Sequence, residues 1–280
     1  MADLALEEKL DALDPLRHLR EDDSDEDGAG IVAPQPPSIR NQSVELVFHT
    51  SHDTKTDVGP GAFTIALAVD ASPGCGGIAW PAGEVLSAYI AHRGALEGKV
   101  VVELGSGTGL VGLVAGRLGA QVWITDQAPL LPIMHQNVAL NNLQASVTVA
   151  ELNWGEPLPA EIPRPDVILA ADCVYFEPAF PLLVQTLAAL VSDRSTEVLF
   201  CYKKRRKASL VLFFYRLDDY PRLLALRGTA SQTITVGGSN ADKRFFTLLK
   251  KEFTWEDVGD DPQRDVYTRE AISLLYLFRK

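Results

Sequence analysis

In this chain an apolar run, Val100-Val101-Val102, leads into Glu103-Leu104-Gly105-Ser106-Gly107-Thr108-Gly109, and an apolar helical pattern follows at once. Strand, glycine loop and helix in that order constrain the fold more than any other feature. Glycine lets a backbone turn sharply and come close to a ligand at the carboxyl end of a strand. Spacing then discriminates among ligands. A dinucleotide-binding turn would read G-x-G-x-x-G with a pyrophosphate on the helix N-terminus, and a phosphate loop would close on Gly-Lys-Ser/Thr. This loop reads E-x-G-x-G-x-G and holds no lysine. Seventeen residues beyond Gly109, at the end of a second apolar run, stands Asp126, placed to accept hydrogen bonds from ribose hydroxyls. Glu103 can accept from a cationic amine, so the two acids together suit a cofactor with an amino acid tail.

From Lys99 onward short apolar runs alternate with longer helix-compatible stretches, the order of a parallel sheet covered by helices. Strands are expected at 99–104, 121–125, 146–152, 166–171 and 197–202, and helices at 109–118, 130–141 and 180–191. Apolar segments at 253–255 and 271–278 can supply the last strands. The expected fold class is α/β, Rossmann-like: a seven-stranded, mostly parallel sheet with helices on both faces. A short N-terminal β element precedes it, because residues 44–48 and 63–69 are rich in β-branched and apolar side chains around a Gly/Asp/Thr segment. Residues 1–40 join scattered leucines to the acidic run Glu21-Asp22-Asp23-Ser24-Asp25-Glu26-Asp27 and to Pro34, Pro36 and Pro37. Such a segment cannot bury enough apolar area to offset its ordering entropy, and it reads as a disordered tail or a weak helix before a domain over 41–280.

Charge and length limit the partners. A formal net charge of -11 excludes a general nucleic-acid binder, whose surface must neutralise phosphates. No apolar run approaches the roughly 20 residues that span a bilayer, and the N-terminus carries no signal-peptide pattern, so a cytoplasmic monomer is expected. Cys75, Cys173 and Cys201 are an odd number without metal-ligand spacing, as are the scattered histidines around them. No metal is expected. The basic cluster Lys203-Lys204-Arg205-Arg206-Lys207 reads as a solvated turn or, at the ligand end of the sheet, as a dock for an acidic protein.

Four stretches carry a resemblance: Ile78-Ala79-Trp80-Pro81-Ala82, the loop Glu103 to Gly109, Leu152-Asn153-Trp154-Gly155, and Ala171-Asp172-Cys173-Val174-Tyr175. The chain resembles the seven-strand S-adenosyl-L-methionine-dependent methyltransferases, and more narrowly the family-16 type of protein-lysine methyltransferase. The resemblance implies a cofactor, S-adenosyl-L-methionine, held by Trp80, Glu103, Gly105, Gly107, Gly109, Asp126, Asn153, Trp154 and Ala171. It implies that Asp172 and Tyr175 face the substrate lysine. Asn153 departs from the acid often found beside this tryptophan. The branch it is most similar to is that of fungal enzymes acting on translation elongation factor 1-alpha, which makes that factor the expected protein partner. The family's tail pattern usually runs from Tyr202-Lys203-Lys204-Arg205-Arg206 directly into something like Ala241-Asp242-Lys243-Arg244-Phe245-Phe246, so residues 208–240 look inserted, as a natural loop or a translated intron.

Each residue also has a plainer reading. Asp172 could be a helix N-cap, Tyr175 a rim aromatic, and Trp80 and Trp154 ordinary packing. The functional rivals are a methyltransferase acting on a small molecule or another side chain, and a cofactor-binding fold that serves only as an interaction module.

Overall fold

Short apolar runs alternating with helices fold as parallel strands covered on both faces, because an antiparallel sheet open to water would alternate polar and apolar residues. The computed structural model describes residues 42–51, 61–71, 75–94, 96–191, 195–204 and 241–280. The tail expected at 1–40, the insertion expected at 208–240 and the basic residues Arg205 to Lys207 lie outside them.

Strands β1 (Gln42–His49) and β2 (Ala62–Val69) are followed by helix α1 (Pro81–Arg93). The central unit then runs β3 (Val100–Leu104), α2 (Leu110–Arg117), β4 (Gln121–Asp126), α3 (Leu131–Leu140), β5 (Val147–Glu151), β6 (Val167–Ala171), α4 (Phe180–Leu190) and β7 (Glu197–Lys203). After the segment outside the described residues come α5 (Ala241–Leu249), β8 (Phe253–Asp257), α6 (Arg264–Arg269) and β9 (Ile272–Arg279). The main sheet has seven strands in the order β5-β4-β3-β6-β7-β9-β8. The first five are parallel, while β9 runs antiparallel between β7 and β8. Strand order reverses between β3 and β6, and in such sheets the crevice beyond the carboxyl ends at the reversal is where ligands bind.

The two faces have separate cores. On one, α1, α2 and α3 pack with β1 and β2 over Val101, Val122, Ile124, Val167 and Leu169. On the other, α4 and α5 cover Val102, Leu104, Ile168, Ala170 and Phe200. Period-two alternation assigns each strand residue to its side, which puts Glu103 on the α2 face. Aromatic rings fasten α5 to the sheet: Phe245 stacks on Phe200 at 5.4 Å, and Phe246 lies 4.9 Å from Trp255. Paired rings at these spacings add about 1 kcal/mol each beyond the area they bury.

The expected seven-stranded sheet and N-terminal strand pair are present, with β1 and β2 antiparallel from Gln42 opposite Val69 to His49 opposite Ala62. Helix α1 is absent from the sequence reading. Its buried residues, Ala82, Gly83, Leu86, Ser87, Tyr89, Ile90 and Ala91, surround much of the helix rather than lining one stripe. A helix buried on most sides leaves no 3.6-residue alternation to detect. The signal that remains is Pro81 at its first turn, where a missing N–H costs nothing.

Candidate active site

All three loop glycines adopt left-handed backbone conformations, with φ of 61° at Gly105, 56° at Gly107 and 82° at Gly109. That is the physical reason for the alternating spacing: each turn back toward the strand ends uses a conformation that side chains disfavour. The intervening residues fasten the loop. Ser106 N–H donates to Thr125 O (3.0 Å), Ser106 Oγ accepts from Thr125 N–H (2.9 Å), and Gly109 N–H donates back to Ser106 O (2.7 Å). Thr108 O accepts from the side-chain amide of Asn137 on α3 at 2.9 Å.

The surroundings leave little space for anything but glycine. A Cβ built on Gly107 would lie 2.5 Å from Gly76 O, so the turn at Cys75–Gly77 rests directly on the loop. A Cβ on Gly105 would meet the Trp154 ring at 3.0 Å and Cys173 Sγ at 3.1 Å. Three expected motifs therefore converge at one point: the glycine loop, the tryptophan turn after β5, and the acidic turn after β6. Gly155, with φ of 82°, anchors the tryptophan turn by donating its N–H to the buried Thr186 Oγ1 of α4 at 2.9 Å.

The two acids occupy different surroundings. Asp126, half-buried at the end of β4, accepts from Gly107 N–H at Oδ2 and from Gln127 N–H at Oδ1, both at 2.8 Å. Burial pushes its carboxyl up to about 6, against the lowering effect of those two amides. Glu103 is 2% exposed, and its Oε2 accepts from Gly112 N–H at 3.0 Å. Its Oε2 thus faces the N-terminal turn of α2, where free amides and the helix dipole favour an acceptor. Burial pushes Glu103 up to about 8.

That value has a sign. The folded carboxyl titrates above its ordinary 4.5, so ionising Glu103 works against the fold; the cost begins above about pH 4.5 and is complete above about pH 8. Gln can still accept from Gly112 N–H but never ionises. The melting temperature of Glu103→Gln relative to wild type is expected to rise between pH 5.5 and pH 8, in thermal melts without added donor. A flat difference across that range would remove the buried ionisation.

Asp172 follows β6 directly. It is 8% exposed, has φ of 54°, donates its N–H to Cys201 O (2.8 Å) and accepts from Lys203 N–H at Oδ1 (3.1 Å). The acid is held between the ends of β6 and β7 in a conformation that Asp and Asn tolerate better than other side chains. Its neighbour Cys173 is buried and donates to Leu104 O at 3.3 Å, which ties this turn to the end of β3. Tyr175 is half-buried three residues on, ahead of the turn Glu177–Ala179, and Glu177 pairs with Arg244 of α5. Ala171 is half-buried as the last residue of β6, paired with Cys201. Trp80 is half-buried at the N-cap of α1. Asn153 sits beside Trp154 and donates to the Glu151 carboxylate at 3.0 Å.

Sequence reasoning missed Gly76, Gly112, Asn137 and Thr186, which shape the site without touching its centre. Gly76 is visible in the sequence only as one of the glycines Gly74, Gly76 and Gly77 that break the chain before Trp80, and Gly112 only as a glycine in the first turn of a helix. Among the described residues, no group of three or more His, Cys, Asp or Glu could hold a metal, and no helix is long and apolar enough to cross a membrane.

A family model described as lysine methyltransferase matches residues 62–219. The chain is 36% identical over 235 residues to Protein-lysine N-methyltransferase EFM6 of Saccharomyces cerevisiae, an alignment covering 74% of this chain and 82% of that protein. It is likewise 36% identical over 204 residues to Protein N-lysine methyltransferase METTL21A of Mus musculus, covering 71% and 78%. A shorter match, 36% over 140 residues, joins 49% of this chain to 60% of EEF1A lysine methyltransferase 3 of Mus musculus.

Proposed function

Since the chain belongs to the lysine methyltransferase family, we propose that its protein substrate is translation elongation factor 1-alpha and that Asp172 and Tyr175 receive the substrate lysine. The chain is a protein-lysine N-methyltransferase. The observation that carries the residue assignment is the placement of Asp172, fixed at the reversal of strand order by Cys201 O and Lys203 N–H, beside the turn that contacts Gly105. The choice of elongation factor is supported by a relative whose name specifies it.

The residues of the loop fit S-adenosylmethionine. Gly105, Gly107 and Gly109 present backbone without side chains, Asp126 offers carboxylate oxygens at the end of β4, and no basic residue stands in the loop for a phosphate. When bound, that donor supplies a methyl group already activated by a sulfonium, so the protein's task is chiefly alignment. Gly105, Gly107 and Gly109 would let the backbone approach the donor, Asp126 would accept from its ribose hydroxyls, and Trp80, Asn153, Trp154 and Ala171 would hold its adenosine. A lysine amine has a reference pKa of about 10.4 and must lose a proton before it can attack. Asp172 draws in the ammonium and orients the amine, and Tyr175 fixes it by a hydrogen bond or through its ring face. The setting is cytoplasmic, a reducing compartment that suits the free thiols Cys173 and Cys201.

The test uses bacterially expressed elongation factor 1-alpha, labelled S-adenosylmethionine and the purified enzyme. Label on one lysine of the factor, mapped by mass spectrometry, is the expected result. Label in a lysate's small molecules or on other proteins, with none on the factor, would overturn the substrate assignment.

A further inference from the structure

Asn137 of α3 and Asn141, the residue that caps the C-terminus of that helix, stand about one turn apart, and each clamps the free edge of β2. Asn141 Oδ1 accepts from Ala66 N–H (2.9 Å) while its Nδ2 donates to Ala66 O (2.7 Å). Asn137 does the same two residues along the strand, with Oδ1 accepting from Ala68 N–H (2.6 Å) and Nδ2 donating to Ala68 O (3.1 Å). A carboxamide offers one acceptor and a donor side by side, as a peptide unit does, so the two side chains complete the edge as a neighbouring strand would. The spacing matches. Four helical residues rise about 6.0 Å and two strand residues about 6.6 Å.

The third bond separates the pair. Asn141 returns its second amide hydrogen to its own helix, at Asn137 O (2.8 Å). Asn137, fully buried, sends its second hydrogen to Thr108 O inside the glycine loop (2.9 Å). The same strand pair meets the loop again at its exit: Asp70 N–H donates to Gly77 O (2.7 Å), and Gly76 O is the atom that rests against Gly107.

We infer that Asn137 is a positioning residue for the methyl-donor loop, and that its own bond from β2 to Thr108, rather than the order of the strand pair as a whole, sustains donor affinity. This rests on the reading of Gly105 to Gly109 as the donor site. Without the Asn137 amide, Thr108 O loses a buried donor and the loop loses its tie to β2. Asn141 makes the same kind of clamp with no bond to the loop, which supplies an internal control.

The experiment compares full-length wild type, Asn137→Ala, Asn141→Ala and Asp126→Ala for S-adenosylmethionine affinity by calorimetry, melting temperature, and separate KM values for donor and protein. Asn137→Ala is expected to raise donor Kd and KM about tenfold, with the protein KM and kcat within about twofold. Asn141→Ala is expected to lower the melting temperature while donor Kd stays at the wild-type value. Equal shifts in donor affinity for the two asparagine variants, or none in either, would overturn the inference. Unchanged affinity in Asp126→Ala would instead overturn the donor site itself. A measurement on wild type alone keeps the inference testable if Asn137→Ala does not fold: saturating donor is expected to slow hydrogen exchange in residues 62–69, and unchanged exchange there would also overturn it.

Discussion

Asp172→Asn is expected to lower single-turnover methyl transfer by about a hundredfold to ten-thousandfold while donor affinity stays within about threefold of wild type. Asparagine is the informative substitution because Asp172 has two roles in this fold. Its φ of 54° lies in the left-handed region, and its Oδ1 accepts from Lys203 N–H. Asparagine tolerates that conformation and retains an acceptor for Lys203, so it removes the charge and leaves the turn in place. Alanine would remove the charge, the acceptor and the tolerance of that φ together, and a loss of activity could then come from the disturbed ends of β6 and β7. The expected order is that both variants lose transfer and only Asp172→Ala loses melting temperature. Wild-type turnover in Asp172→Asn would show that no carboxylate is needed at this position, leaving Asp172 as a connector between strands.

How far the sequence reveals this architecture depends on the period of each signal. Strands β3 and β6 are visible because runs such as Val100-Val101-Val102 and Val167-Ile168-Leu169 are apolar throughout, as parallel strands with two covered faces must be. Helix α1 is hidden by the same condition: covered on most sides, it shows no stripe. The site divides in a similar way. Residues whose type is dictated by backbone geometry, such as Gly105 and Gly107, can be read from spacing, because few other residues accept their φ. Glu103 can be read from its place before the glycines, but its depth and its bond to the Gly112 amide follow from which face of β3 meets α2. Asn137 leaves no local signal at all. Its partners Ala68 and Thr108 lie 69 and 29 residues away, and an asparagine inside a helix is ordinarily just a residue of modest helix propensity.

Gly107→Ala is expected to weaken donor binding by more than about a hundredfold and to lower the melting temperature further than left-handed strain alone would. Two costs coincide at this residue. Its φ of 56° charges any L side chain on the order of 1–2 kcal/mol. Its Cβ would also stand 2.5 Å from Gly76 O, 3.3 Å from Gly76 C and 3.4 Å from Gly76 Cα, all backbone atoms that no rotamer change can move aside. The loop must therefore lift away from the turn at Cys75–Gly77, and Gly107 N–H then leaves the Asp126 carboxylate that it meets at 2.8 Å. Gly98→Ala separates the two costs. Gly98 has φ of 72° and nothing within 4 Å of its Cβ position, so alanine there carries the strain without the collision. It is expected to lower the melting temperature by roughly 2–8 °C, as about 1–2 kcal/mol would in a domain of this size, with donor affinity unchanged by calorimetry. If Gly107→Ala instead binds donor as tightly as Gly98→Ala does, the loop can open away from Gly76 without consequence, and the donor cannot be resting on the backbone between β3 and α2.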